Sequence, residues 1–199
     1  MGFLFSDPIE WFDFELKKVT ELGEFEPTAM NLATCRAPER YPDVRVVLFK
    51  GWIRGGLSFY TNLNSPKAKS LQAFPWATAN FFWPKVNQQI RIFGTVEPLT
   101  REENESYFSS RPRLSQLGAW ASDQSQKLDS YEYLEMRIQE FVEQFDEGPI
   151  PCPPHWGGFR LVPLRFEFWF GRDGRLHERY VFERQNSNQQ TWEKFMLFP

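Results

Sequence analysis

Arg175-Leu176-His177-Glu178-Arg179 places two guanidinium forks and an imidazole at alternate positions. Before it stand an apolar run, Phe166-Glu167-Phe168-Trp169-Phe170, and a turn-like Gly171-Arg172-Asp173-Gly174. That order predicts a β-hairpin: aromatic strand, glycine-bounded turn, second strand. Side chains on a strand alternate faces, so Arg175, His177 and Arg179 are expected on one face. Such a row suits an anionic, planar ligand. The plain alternative is a solvated strand face whose arginines pair with neighbours of the Glu178 kind.

Three other constellations could carry chemistry. Arg45-Val46-Val47-Leu48-Phe49-Lys50 is a strand with a cation at each end. Positions 45 and 50 point to opposite faces of a regular strand, so one ligand touches both only if a bulge or strand end re-aims one of them. Phe59 to Ala68 runs from a strand end through a hydroxyl- and amide-rich turn into a helix start, with Ser65 before Pro66 and Lys67 inside. A helix N-terminus so equipped can hold a phosphate, and ordinary capping explains the same residues. Tyr107 and Arg111 are one helical turn apart, and Pro112 suits the first position of a new helix that carries Ser115. Here too capping and phosphate binding both fit.

The elements that must position these groups are legible. Residues 7–22 form an opening helix, with Asp7 as N-cap, Pro8 at the first helical position and Gly23 at its end. Short β-runs follow at 29–34, 44–49, 57–60, 77–83 and 89–96, with a helical interlude at 67–74. A helix over 100–110 carries a capping box of Thr100 and Glu103, and a longer one over 130–145 is stopped by Gly148-Pro149. The hairpin ends the ordered part, and 185–190 is polar enough for a loop. No repeat and no dividing linker appears. Many short strands with few helices predict an α+β barrel in a single domain over 1–199, not a doubly wound sheet.

Composition narrows the function. A net charge of −3 gives no general attraction to nucleic acid, so basic clusters are local. No run approaches the roughly 18 apolar residues that span a bilayer. Met1 to Ser6 fits the loose myristoylation pattern, which is short enough to arise by chance. Cys35 and Cys152 lack metal-ligand spacing, so no metal site is expected and reduced thiols in a cytoplasmic protein are the simpler reading. Aromatic residues make up 18% of the chain, with 21 phenylalanines and 8 tryptophans. A small interior does not absorb all of them, which points to a homodimer interface.

Taken in order, these segments closely resemble the pyridoxamine 5′-phosphate oxidase family, FMN enzymes of the split-barrel fold. The resemblance runs from Asp7 nearly to the C-terminus. It includes Pro27-Thr28-Ala29-Met30, Arg45 to Lys50, Phe59 to Asn62, Ser110 to Arg113, Ser115 to Trp120, Trp156-Gly157-Gly158-Phe159-Arg160 and Arg175 to Arg179. It implies an antiparallel FMN-binding split β-barrel with flanking helices, and a homodimer holding FMN at the subunit interface. The implied reaction converts pyridoxamine or pyridoxine 5′-phosphate to pyridoxal 5′-phosphate, with O2 as electron acceptor.

The resemblance also implies roles. Arg45, Val46, Val47, Leu48, Phe49, Lys50, Tyr60, Thr61, Lys67, Gln89, Gln124, Ser125, Trp169 and Arg179 match FMN contacts. Lys50, Tyr107, Arg111 and Ser115 match the site for the substrate phosphate, and Arg175 and His177 match the catalytic pair against the pyridine ring. A flavin carries the hydride chemistry, so neither a Ser/His/Asp set nor a metal cluster is required. Three positions depart from the pattern. Pro66 replaces an arginine, little precedes Asp7 to cover the substrate, and Phe195 to Pro199 lacks the usual arginine. Two alternatives remain open: a split-barrel flavoprotein oxidoreductase with another substrate, and a non-catalytic binder of flavin or pyridoxal phosphate.

Overall fold

The chain is described by a computed structural model covering residues 2–36, 41–189 and 191–199. Met1, where the acylation-like start begins, and Gln190, where the expected polar loop ends, lie outside the described residues. Helix α1 (Pro8–Glu21) starts as its sequence dictates: Asp7 accepts a hydrogen bond from the Ile9 N–H at 2.8 Å, and Gly23 leaves the helix at φ +70°. Its inner face buries Trp11, Phe12 and Val19 against the sheet.

Strands β1 (Ala29–Cys35), β2 (Pro42–Leu48), β3 (Trp52–Ile53), β4 (Gly56–Asn62), β5 (Trp76–Trp83), β6 (Gln88–Pro98), β7 (Trp156–Phe170), β8 (Glu178–Glu183) and β9 (Glu193–Leu197) form one antiparallel sheet. Its path runs β2-β1-β5-β6-β7-β4-β3, with β8 and β9 added beside β7. The first and last strands of that path, β2 and β3, are consecutive in the chain. The sheet must therefore curl, and Lys50 N–H to Ser58 O and Ser58 N–H to Gly51 O, both 2.9 Å, tie the two ends together. The result is a split barrel whose interior holds Met30, Leu32, Phe81, Ile90, Ile92, Phe166, Phe168 and Phe182.

Helices α2 (Pro66–Ala73), α3 (Arg101–Ser109), α4 (Arg113–Ala121) and α5 (Tyr131–Phe145) flank the barrel. The Thr100/Glu103 capping box forms in full at α3. Among the described residues no helix is long and apolar enough to cross a membrane.

Four expectations need correction. The aromatic run at 166–170 is only the end of β7, a 15-residue strand that begins at Trp156 and pairs with β4, β6 and β8 along its length. After it, Gly174 at φ +63° is followed by Arg175 at φ +61°, so the chain is still turning and β8 starts only at Glu178. Arg175 and His177 thus sit in the turn, and the shared strand face predicted for them with Arg179 does not exist. The ordered part also continues beyond the hairpin, into β9 paired with β8. Lastly, α5 stops at Phe145 because Asp146 takes φ +41°, ahead of Gly148-Pro149.

Candidate active site

A cavity of about 1340 Å³ opens between β2, the end of β4, the start of α2 and the α3–α4 corner. Among the described residues five basic side chains line it, Arg36, Arg45, Lys50, Lys67 and Arg111, against one carboxylate, Asp43. That imbalance in a partly dehydrated cleft selects an anion.

Along β2, Arg45, Val46, Val47 and Leu48 all reach the cavity, and so does Lys50 just past the strand end. The strand end therefore resolves the parity conflict between positions 45 and 50. Phe49 turns the other way, packing in the core against Phe12 and Trp52, so its side chain cannot face a ligand in this cavity. Arg45 is held firmly: it donates to Leu32 O at 3.0 Å and Thr34 Oγ1 at 2.8 Å, and pairs with Asp43 at 2.5 Å.

Opposite β2, Tyr60, Thr61 and Lys67 line the wall. Ser65 caps α2 by accepting from the Ala68 N–H, and Pro66 fills the first turn as its missing N–H allows. Lys67 Nζ donates to Gln124 Oε1 at 2.7 Å, Thr61 Oγ1 at 2.8 Å and Ser65 Oγ at 3.3 Å. Burial, helped by the nearby Arg45 charge and opposed by Asp43, lowers the Lys67 ammonium to about 8. Gln124 and Ser125, the latter at φ +67°, bring the loop after α4 to the same wall.

The third wall is the α3–α4 corner. Tyr107, Arg111 and Ser115 line the cavity, with Pro112 at the N-cap of α4, one position earlier than its sequence implied. The corner is fixed by Gln116, whose amide donates to the carbonyls of Phe108, Ser109 and Arg111 at 3.0–3.2 Å. Tyr60 stacks on Tyr107 at 4.0 Å, and Trp156 lies parallel to both rings. Arg111 Nη1 is buried with no hydrogen-bond partner among the described residues. A buried guanidinium N–H without an acceptor is costly, and an anion in the cavity is the natural acceptor. Burial pushes Tyr60 up to about 12, with Tyr107 and Glu103 adding to the shift, so its hydroxyl stays neutral.

Gln89, Trp169, Arg175, His177 and Arg179 do not line this cavity. Gln89, Trp169 and Arg179 face one another across β6, β7 and β8 in a single row. The His177 ring packs on Trp169 at 4.5 Å, and its Nδ1 accepts from the Arg172 N–H at 3.1 Å. Arg179 donates to Glu167 through Nε at 2.9 Å and Nη2 at 2.7 Å. Arg172, not Arg179, pairs with Glu178. Register places the row on the outer face of the sheet, which continues through Phe82 and Phe93 to Val44, Val46 and Leu48, all exposed apolar residues.

Sequence reasoning passed over Trp156, Gln116, Asp43 and Arg36. The first two stand in motifs already singled out, so their signal was present. Nothing in local spacing marks Asp43 or Arg36.

Comparison with known proteins places these features in a family. The family described as pyridoxamine 5′-phosphate oxidase matches residues 16–145, and its companion, the pyridoxine 5′-phosphate oxidase C-terminal dimerisation region, matches residues 156–199. A pyridoxine/pyridoxamine 5′-phosphate oxidase from Bdellovibrio bacteriovorus is 43% identical over 194 residues, covering 98% of this chain and 97% of the relative. One from Leptospira biflexa is 45% identical over 193 residues, covering 97% and 89%. Among solved structures, PhzG from Burkholderia lata, in complex with tetrahydrophenazine-1-carboxylic acid, superposes with a TM-score of 0.91 at 30% identity, covering 98% of this chain and 94% of that one. A pyridoxamine 5′-phosphate oxidase-related, FMN-binding protein from Nostoc punctiforme has a TM-score of 0.76 at 18% identity, with both chains covered in full, and so shares the fold.

Proposed function

The chain belongs to the pyridoxamine 5′-phosphate oxidase family, and we propose that it oxidises pyridoxamine or pyridoxine 5′-phosphate to pyridoxal 5′-phosphate with FMN as cofactor and O2 as electron acceptor. The observation that carries this reading is the cavity itself: among the described residues it has five cations against one carboxylate, with the Arg111 Nη1 donor buried and unpaired. Its donor set fits FMN. Arg45, Lys67, Thr61, Gln124 and Ser125 would hold the phosphate and ribityl chain, with Val46, Val47, Leu48 and Tyr60 around them. When bound, FMN would supply the two-electron acceptor for oxidation of the substrate carbon, with O2 as the final acceptor.

The chain's own residues supply binding and orientation. Lys50, Tyr107, Arg111 and Ser115 would grip the substrate phosphate, which lies remote from the reacting carbon and fixes the position of the pyridine ring. Arg175 and His177 would face that ring. They stand with Gln89, Trp169 and Arg179, away from the cavity, on or beside the apolar outer face of the sheet. A homodimer formed through that face would let one subunit present this second group to FMN held in the other subunit's cavity. The matched dimerisation region spans β7 to β9 with the turn between β7 and β8, and so includes Trp169, Arg175, His177 and Arg179. Cys35 and Cys152 are free thiols, which supports a reducing compartment such as the cytoplasm.

The test is direct. The purified protein is expected to be yellow and, given pyridoxine 5′-phosphate in air, to form pyridoxal 5′-phosphate. A folded, FMN-loaded protein that turns over neither phosphorylated vitamer would overturn the reading and favour another substrate for the same flavin site.

A further inference from the structure

Trp156 is the one large aromatic side chain that touches the cavity from β7. It is only 6% exposed. Its ring lies within 10° of parallel to both Tyr60, at 5.2 Å, and Tyr107, at 6.3 Å. The Arg111 guanidinium carbon sits 4.9 Å from its ring centroid, and Phe108 meets its edge at 5.0 Å. Gly158, two positions on, leaves room for the Tyr60 ring: a Cβ there would lie 2.7 Å from Tyr60 Cδ1 and 2.8 Å from Phe59 O.

Arg111 has few other restraints. Its Nη1 has no hydrogen-bond partner among the described residues, and no ion pair to it is found there. The side chain is directed into the cavity by two ring faces, Trp156 and Phe108. A desolvated cation over an indole gains enough to select one rotamer without neutralising the charge. An acidic partner would orient the guanidinium equally well, but would compete with an anionic ligand for it.

We propose that Trp156 is a positioning residue for substrate phosphate recognition, aiming Arg111 through its face and holding Tyr107 through the Tyr60 stack. This rests on the assignment of Arg111 and Tyr107 to the substrate phosphate. Removing the indole leaves the cations in place and releases their geometry. The loss therefore falls on phosphorylated ligands, not on the flavin chemistry.

The experiment compares the parent holoenzyme with Trp156→Leu and Trp156→Phe, using pyridoxine 5′-phosphate and unphosphorylated pyridoxine as substrates. Trp156→Leu is expected to raise KM for the phosphorylated substrate about 5- to 30-fold. With FMN still bound, the ratio of kcat/KM for pyridoxine 5′-phosphate to kcat/KM for pyridoxine should fall by a similar factor. Trp156→Phe keeps a smaller ring face and should show the same effect at roughly two- to fivefold. Equal losses on both substrates, or an unchanged KM in a folded, yellow variant, would overturn the proposal. If Trp156→Leu does not fold, Trp156→Phe decides, and an unchanged preference for the phosphorylated substrate overturns it. Calorimetric affinity of the holoproteins for inorganic phosphate reads the same coupling without turnover. A parent that fails to oxidise pyridoxine 5′-phosphate but loses phosphate affinity on substitution sinks the proposed reaction and leaves the positioning role standing.

Discussion

Lys67 and Gln124, 57 positions apart in sequence, meet at 2.7 Å, and this bond ties the start of α2 to the loop that follows α4. The ammonium is the donor and the amide oxygen the acceptor, so the contact holds Lys67 without cancelling its charge. Burial first, and Arg45 second, lower it from 10.5 to about 8. It therefore titrates within the range where the protein can be studied.

FMN affinity should depend on pH through this group. Below about 8 Lys67 is charged and ready for the phosphate; above it the free protein must first recruit a proton. Affinity is expected to be nearly level around neutrality, where the FMN phosphate is largely a dianion, and to fall, by at most about tenfold per pH unit, as pH rises through 8. Lys67→Arg should keep affinity level to higher pH, because a guanidinium stays charged. Fluorescence titration of FMN checks both, and an identical decline in the arginine variant would remove Lys67 as the cause. Stability of the flavin-free protein should move oppositely: the cost of burying the ammonium is full below about 8 and fades as pH approaches the unfolded value of 10.5.

Arg179 should matter to FMN although it does not line the cavity. Glu167, 4% exposed, fixes its Nε and Nη2, and Phe198 O accepts from Nη1. Arg179→Ala is expected to weaken FMN binding about 10- to 150-fold, the equivalent of one hydrogen bond to a charged group. Glu167 retains Arg91 at 3.5 Å and Arg165 at 4.0 Å, so the variant should still fold. Unchanged FMN affinity in the folded protein would rule out a role for Arg179.

The outer sheet face should be the dimer interface. Val46 is 62% exposed on edge strand β2, beside Val44 at 57%. An aspartate at position 44, which unlike Val46 does not line the cavity, would bury a charge on association, so Val44→Asp should shift the protein to monomer and deplete its flavin together. Light scattering and flavin absorbance measure the two effects. A monomer that keeps stoichiometric FMN would separate cofactor binding from assembly.

Arg111→Ala should leave the protein yellow while raising KM for phosphorylated substrate, with kcat following only if the pyridine ring is displaced. Pyridoxine should be a poor substrate for the parent and little affected by the change. Loss of FMN, or parent-like kinetics on the phosphorylated vitamer, would show that Arg111 does something else.

The sequence alone determined whatever is local. Asp7 and Ser65 cap their helices, Thr100 and Glu103 close a capping box, and the alternation of β1 and β5 buries Met30, Leu32, Ala79 and Phe81. In each case one residue and its near neighbours satisfy the backbone or the core. The motifs also carried the family, because their residue types are set by ligand chemistry. Tertiary structure decided what depends on distant partners. The positive φ of Arg175 delays β8 and removes the shared face with His177, which strand alternation could not foresee. Phe49 faces the core because Phe12 and Trp52 meet it there. Gln89, Trp169 and Arg179 fall in line through the pairing of three strands, and Trp156 reaches Arg111 because the barrel brings β7 beside the α3–α4 corner. Register and closure set these contacts, and no short stretch of chain contains either.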